Sequence, residues 1–452
     1  MSSADSTPGS GAALKRDVGV FSAVMMGLGS IIGTGVFVSI GVATGAAGPS
    51  VILALVVAAF VALCNGLSTA QLAASHPVSG GAYEYGYRWL NPSLGFTAGW
   101  MFLCAKSASA ATAALGFAGY LRNAIVRGEN WNPTLLAVGA IFLLTVLSAG
   151  GIKRAGWTNA VIVSVTLVAL ATFVLAGLPL ALQGDGANLS PFFAPIAKER
   201  SPLAGFLEAC ALLFVAYTGY GRIATLGEEI REPRRSIPLA ISVTLFLSMT
   251  LYVAVGFIGV AAVGPAEFAV AGVEHAAPLE VVAQRFPWAA AAPIVGIGAV
   301  TAMLGVLLNL ILGLSRVVLA MGRRGDLPTR LGQLDASATP RLAIFVVGAG
   351  IAALASLGSV KTTWSFSAFT VLVYYAITNL AALRLPVEQR RYPRPVAWIG
   401  LAACLFLAFW VETGVWLFGL GLIVVGLIWH RIRKPDRLTE RSAPSGRTHH
   451  PS

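Results

Sequence analysis

"MMGLGSIIGTGVFVSIG", residues 25–41, lies in an apolar run long enough to cross a membrane, yet it carries five glycines and no alanine. In hydrocarbon a backbone group that loses its helical partner finds no water to replace it, and each glycine weakens a helix by about 1 kcal/mol relative to alanine. Two readings follow. Small residues let helices approach closely in lipid, a use open to Gly27, Gly29, Gly33 and Gly41. Gly33, Thr34 and Gly35 together make a tight breaker, which reads as an unwound segment. Residue 33 falls about 15 residues into its run, about 22 Å at the helical rise, so the break sits near the bilayer midplane.

The surrounding chain has 452 residues, 56% hydrophobic and 11% charged, with mean hydropathy +0.78. That composition specifies an integral membrane protein. A helix needs about 20 apolar residues to span the hydrocarbon core. The chain offers twelve such stretches, near 18–42, 50–75, 94–121, 133–150, 157–183, 204–227, 237–263, 290–321, 341–358, 364–385, 396–411 and 413–430. The fold expected is all-α, with twelve transmembrane helices. The first 14 residues lack the charged start and cleavage site of a secretory signal, so the first span serves as the insertion signal. Residues 1–17 read as an N-terminal segment and 431–452, rich in Arg, Pro and Ser, as a disordered tail.

The net charge of +12 has a topological origin. With twelve spans both termini share one side, and that side holds 22 of the 31 Lys and Arg residues, against 6 on the other. Such asymmetry places both termini in the cytoplasm and needs no nucleic-acid partner. Cys64, Cys104, Cys210 and Cys404 all fall inside spans without zinc-ligand spacing, so neither a disulfide framework nor a metal site is read, and no cofactor is implied. Oligomeric state leaves no mark on the sequence.

A second interruption, "VAYTGYGRIATLGEE", occupies the sixth span five spans after the first. Five is odd, so the second copy is inverted. Paired Gly-interrupted segments in inverted halves point to the binding site of a secondary transporter. The halves are then residues 18–183 and 204–385, with 396–430 forming two further helices.

In order and spacing, "GLGSIIGTGVFVSIG", "HPVSGGAYEYGYRWLNPSLGFTAGW", "GIKRAGWTN", "FVAYTGYGRIATLGEEIREPRRSIP" and "GLSRVVLAMGRRGDLP" resemble the amino acid, polyamine and organocation superfamily, close to its bacterial amino acid permeases and cationic amino acid transporters. The resemblance covers nearly the whole chain. It implies a 5+5 inverted repeat with two extra helices, and movement of amino acids by alternating access.

The resemblance also implies a site. The substrate carboxylate would meet the freed N–H groups around Gly33, Thr34 and Gly35 at the positive end of a half-helix. The ammonium would face carbonyls at Ile31 and Ile32 and, across the cavity, at Val215, Ala216 and Thr218. Tyr217 and Tyr220 flank the second break as packing aromatics or as a gate over the substrate, with Phe214 packed nearby. Neither break itself carries a carboxylate, Glu228 and Glu229 lying at the inner end of the sixth span, which favours a neutral amino acid over a cationic one.

Charges inside spans are costly and functional by default. Lys106, on one face of the third span with Ser109, Ala113 and Gly116, reads either as a buried counter-charge or as a titrating group, since burial disfavours the charged amine. Proton-coupled members that the chain resembles place a lysine in the fifth span, where Thr166 stands here beside Ser164. Either Lys106 supplies the coupling charge or the carrier is uncoupled. Arg222 follows the second break and would reach a substrate carboxyl or bond freed carbonyls below the site. Glu208 would pair with Lys106 or line the entry. Glu228 and Glu229, with Arg231, Arg234 and Arg235, read as a cytoplasmic gate cluster or as a solvated helix end. Arg316 reads as structural, and Gln71 stands where the family usually has a glutamate.

The function expected is thus a proton-coupled secondary transporter for neutral amino acids. The alternatives are an uncoupled facilitator or exchanger, or a carrier of cationic amino acids or polyamines. An intramembrane enzyme would need paired acids or a nucleophile–base pair at one depth, and a channel would need a ring of repeated polar residues. Neither pattern is present.

Overall fold

Proline at the first helical position costs a helix little, because its missing N–H would have no partner there, and this chain starts helix after helix that way. In the computed structural model, helices open on Pro92, Pro133, Pro202, Pro233, Pro265 and Pro278. The structure describes residues 18–76, 80–125, 132–151, 156–196, 200–225 and 230–433. The N-terminal segment, most of the C-terminal tail, Glu228 and Glu229 lie outside the described residues.

In chain order the helices are α1 (Val20–Ile31), α2 (Ile40–Ala47), α3 (Val51–Ser75), α4 (Ala82–Trp89), α5 (Pro92–Ile125), α6 (Pro133–Ala149), α7 (Gly156–Gln183), α8 (Pro202–Tyr217) and α9 (Gly221–Thr225). They continue as α10 (Pro233–Val263), α11 (Pro265–Val273), α12 (Pro278–Ala283), α13 (Ala291–Arg324), α14 (Arg341–Leu357), α15 (Val360–Leu383), α16 (Arg394–Ala408) and α17 (Thr413–Ile432). Each of the twelve apolar stretches is helical, with α1 and α2 sharing the first and α8 and α9 the sixth. Among the described residues, eight stretches are long and apolar enough to cross a membrane, the first of which, Val20–Ser75, runs through α1, α2 and α3. Helices α6, α14 and α16 are shorter apolar helices.

The outer surface confirms the solvent these helices need. Phe142, Leu143, Val168, Leu175, Phe345, Val346, Phe418, Val424, Val425 and Ile428 are all exposed, an apolar surface that water would penalise and lipid accepts. Helix α17 buries only Gly419, Gly426 and His430. The interior is different in kind: α5 packs along α15 and α13, and α3 along α10, with alanine and glycine at the contacts, as close packing in lipid favours.

Three helices fall where only joints were expected. Helix α11 lies across α2, where Gly41 and Gly272 meet so closely that a Cβ on Gly272 would stand 2.7 Å from the Gly41 carbonyl carbon. Helix α12 follows it and reaches α13. Both are too short and mixed for a span-length window to detect. The third, α4, lies between α3 and α5, and its polar side meets the end of α13. There Gly325 turns the chain at φ +86°, and the Asp326 N–H returns to the Met321 carbonyl at 2.9 Å.

Asp326 is buried and accepts from the Tyr83 hydroxyl at 2.6 Å and the Tyr87 hydroxyl at 2.7 Å. Arg324 donates twice to Glu84, at 2.7 and 2.9 Å, while its guanidinium lies 4.2 Å from the Tyr87 ring centre. From α17, His430 Nδ1 stands 3.3 Å from Asp326, and the Trp429 indole donates to the Asp326 carbonyl at 2.9 Å. The stretches "GAYEYGYRW" and "GRRGDLP" are thus two halves of one polar joint. Breaking a buried, charge-assisted cluster by removing one member costs about 3 kcal/mol, because its partners are left desolvated. Asp326→Ala is therefore expected to lower thermal stability by about that amount in a melt of detergent-purified protein, whereas an unshifted melt contradicts this role.

Candidate functional site

Both expected interruptions are present. Helix α1 stops at Ile31, and Ile32 is extended, at φ −78° and ψ +107°. The chain resumes as a π-helical turn over Gly35–Ser39 before α2 begins. The Gly33 carbonyl accepts from Val36 and Phe37, each at 3.1 Å, while the N–H groups of Gly33, Thr34 and Gly35 enter no backbone bond among those outside regular helix. They stand at the start of a helical segment, where the first N–H groups lack partners within the helix they open. In the sixth span α8 ends at Tyr217, a single 3-10 turn covers Thr218–Tyr220, and α9 follows.

The two interruptions touch. A Cβ at Gly35 would lie 2.7 Å from the Ala216 Cβ and 2.9 Å from its Cα, and a Cβ at Gly219 would run into the Ser30 carbonyl. Only hydrogen fits at either place. The glycines of the opening stretch thus divide between the two readings. Gly27 sits against Ile223 and Thr244, Gly29 against Asn159 and Val163, and Gly41 against Pro278 and Gly272, all as packing contacts. Gly33 and Gly35 belong to the break itself, with Gly33 also facing Val306 of α13.

The remaining predicted residues surround this contact. The Thr34 side chain is buried, and its hydroxyl has no hydrogen-bond partner in the protein. Lys106, half-buried on α5, donates to the Thr218 hydroxyl at 3.0 Å, and that hydroxyl donates to the Val215 carbonyl at 2.8 Å. The Thr218 carbonyl accepts from Tyr375 at 3.3 Å. Tyr217 is fully buried and donates to the Leu55 carbonyl at 3.1 Å. Tyr220 is also buried, its ring 5.6 Å from that of Tyr375. Ser109, on the Lys106 face, is bonded to Ser367 at 2.7 Å and so joins α5 to α15.

Other residues are placed elsewhere. The Thr166 hydroxyl is spent on the Ile162 carbonyl of its own helix at 2.7 Å. Glu208 is buried and paired with Arg200, in the connection before α8, and not with Lys106. Arg222 stands on α9 with its side chain exposed, and Arg316 is likewise exposed. Gln71 accepts from the N–H groups of Arg391 and Tyr392, each at 3.4 Å.

Sequence reasoning missed three tyrosines that service the breaks. Tyr252 of α10 donates to the Ile31 carbonyl at 2.8 Å. Tyr120 of α5 donates to the Phe37 carbonyl within the π turn at 2.7 Å and accepts from the Leu279 N–H of α12 at 3.2 Å. Tyr375 of α15 reaches Thr218, as described. The available signal was a phenol in the middle of an apolar run, since a buried tyrosine hydroxyl needs a partner.

Chemically, the site offers N–H donors and a hydroxyl on one side, carbonyls on the other, and one ammonium from Lys106. That set complements a small zwitterion. Gly35→Val and Gly219→Ala should each reduce uptake in proteoliposomes more than tenfold while the protein still reaches the membrane; wild-type uptake by either variant contradicts the contact.

The family described as amino acid permease matches residues 22–439 of this chain. The chain is 39% identical over 443 residues to an uncharacterized transporter of Mycobacterium tuberculosis (strain H37Rv), with 97% of each chain covered. It is 29% identical over 443 residues to the branched-chain amino acid permease BcaP of Bacillus subtilis, covering 91% of this chain and 92% of that one. It is 28% identical over 398 residues to cationic amino acid transporter 4 of Homo sapiens, covering 82% of this chain and 60% of that one. A multi-pass helical architecture, paired helix interruptions and a match over nearly the whole length agree: the chain belongs to the amino acid permease family and is a membrane transporter, not an enzyme.

Proposed function

We propose that this transporter moves neutral amino acids across a bacterial cytoplasmic membrane by alternating access, coupled to protons. The observation that carries the reading is the contact between the two unwound segments, at Gly35 against Ala216 and Gly219 against Ser30. It brings donors of one break and carbonyls of the other to one place, with the unpartnered Thr34 hydroxyl beside them. Non-helical backbone at this depth survives only where it is buried or lines a cavity.

The same contact supports a 5+5 inverted repeat over 18–183 and 204–385, followed by α16 and α17, with twelve crossings and both termini in the cytoplasm. A carboxylate binds at Gly33, Thr34 and Gly35; an ammonium binds at the carbonyls of Ile31, Ile32 and Ala216. Lys106 bears on selectivity. Its ammonium donates to Thr218, and residues 32–39 and 218–220 contain no acid, so a cationic side chain would meet repulsion there. The name of the Bacillus subtilis relative, a branched-chain amino acid permease, accords with a neutral cargo.

Coupling is assigned to Lys106, whose ammonium has a neutral partner and so can lose its proton without stranding a buried anion. A second reading, an uncoupled exchanger or facilitator, draws on Thr166, a neutral residue bonded within its own helix. Uptake of radiolabelled neutral amino acids into proteoliposomes separates the two. Wild-type uptake should saturate and should rise when the outside is made acid. Lys106→Met should abolish that response while retaining exchange. Unchanged proton dependence in the variant removes Lys106 from coupling, and gradient-independent wild-type uptake selects the exchanger.

A further inference from the structure

Tyr252 is fully buried in α10, and its hydroxyl lies 2.8 Å from the Ile31 carbonyl and 3.5 Å from the Ala216 carbonyl. Ile31 ends α1 and Ala216 is the next-to-last residue of α8, so one oxygen is approached by a carbonyl from each interruption. The ring is held 5.2 Å from that of Tyr217, whose own hydroxyl is committed to Leu55. A phenol has one proton and makes one good bond here, to Ile31, leaving Ala216 at the limit of contact. An ammonium has three protons and would satisfy both carbonyls.

We infer that Tyr252 is a positioning residue that keeps these two carbonyls convergent and surrenders them to the primary ammonium of the substrate. The inference rests on the amino acid reading of the site and adds a step to it. When the ammonium takes Ile31 and Ala216, the hydroxyl leaves Ile31, and the bond tying α10 to the end of α1 is released. Substrate occupancy is thereby linked to the freedom of the first span against α10. Without substrate, the hydroxyl must recapture Ile31, since a buried carbonyl left bare is costly.

Tyr252→Phe removes the hydroxyl and keeps the ring, so it separates competition from packing. The probe is a mixture of L-alanine, L-serine, L-leucine, L-methionine and L-phenylalanine. The variant is expected to bind it about five- to tenfold more tightly, the equivalent of one hydrogen bond no longer displaced. Exchange across proteoliposomes should persist, while net uptake, which needs the unloaded carrier to return, should fall about fivefold or more relative to exchange. A merely structural tyrosine predicts weaker binding and a proportional loss of both fluxes, and that result overturns the inference. Wild-type protein that none of the five stabilises or moves overturns the amino acid reading, and this inference with it. An unaltered affinity and flux ratio in Tyr252→Phe, beside an active wild type, overturns this inference alone. Should the variant not fold, 3-fluorotyrosine placed at position 252 of the otherwise native chain reports directly. Its fluorine resonance should move with the amino acids and not with the matching 2-hydroxy acids, and a resonance indifferent to both contradicts the exchange of partners.

Discussion

Two backbones approach more closely here than any side chain allows, and the centre of the molecule is arranged around that contact. Gly35 rests on Ala216, and Gly219 rests on the Ser30–Ile31 peptide. The approach requires both spans to lose their helical bonds at the same depth, which hydrocarbon penalises severely. The surrounding helices are placed so as to recover that loss. Tyr252, Tyr120 and Tyr375 each bring a hydroxyl from a different helix to a carbonyl in or beside an interruption. Lys106 and Thr218 complete the second one.

In the function proposed, what is left unsatisfied binds the substrate. The Thr34 hydroxyl is a buried donor without a protein partner, beside the N–H groups of Gly33, Thr34 and Gly35 at the start of a helical segment, and the Ile31 and Ala216 carbonyls share a single tyrosine. On the proposed reading, the arrangement recognises what all amino acids have in common, a carboxylate beside an ammonium. On that reading selection among them falls to side chains around it, Lys106 among them through its bond to Thr218.

Much of this was legible in the sequence, for identifiable reasons. Long apolar runs mark helices directly, and Gly33-Thr34-Gly35 and Thr218-Gly219 mark breaks because glycine weakens a helix most where nothing else can replace its bonds. The partners of the breaks were not legible. Which helix presents a phenol to Ile31 depends on three-dimensional packing between residues 221 positions apart in the chain, and one sequence carries no record of it. Glu208 shows the same limit: the sequence left it pairing with Lys106 or lining the entry, and its partner is Arg200, just before α8. Helices α4, α11 and α12 escaped notice because each is too short to produce a span-length signal. The joint of Tyr83, Tyr87, Arg324 and Asp326 escaped because its halves lie in separate motifs about 240 residues apart, and nothing in one sequence pairs them.

The central claim is that the site requires both ends of the substrate, one for each interruption. Thermal stabilisation of the purified transporter by L-leucine, 3-methylbutylamine and 4-methylpentanoate tests it most directly, since these share a side chain and differ only in which charged group is present, and a ligand stabilises the state it binds. The account predicts a saturable rise in melting temperature with leucine and none with the amine or the acid at the same concentrations. Equal stabilisation by the amine or the acid alone would show that one interruption suffices, and would contradict it.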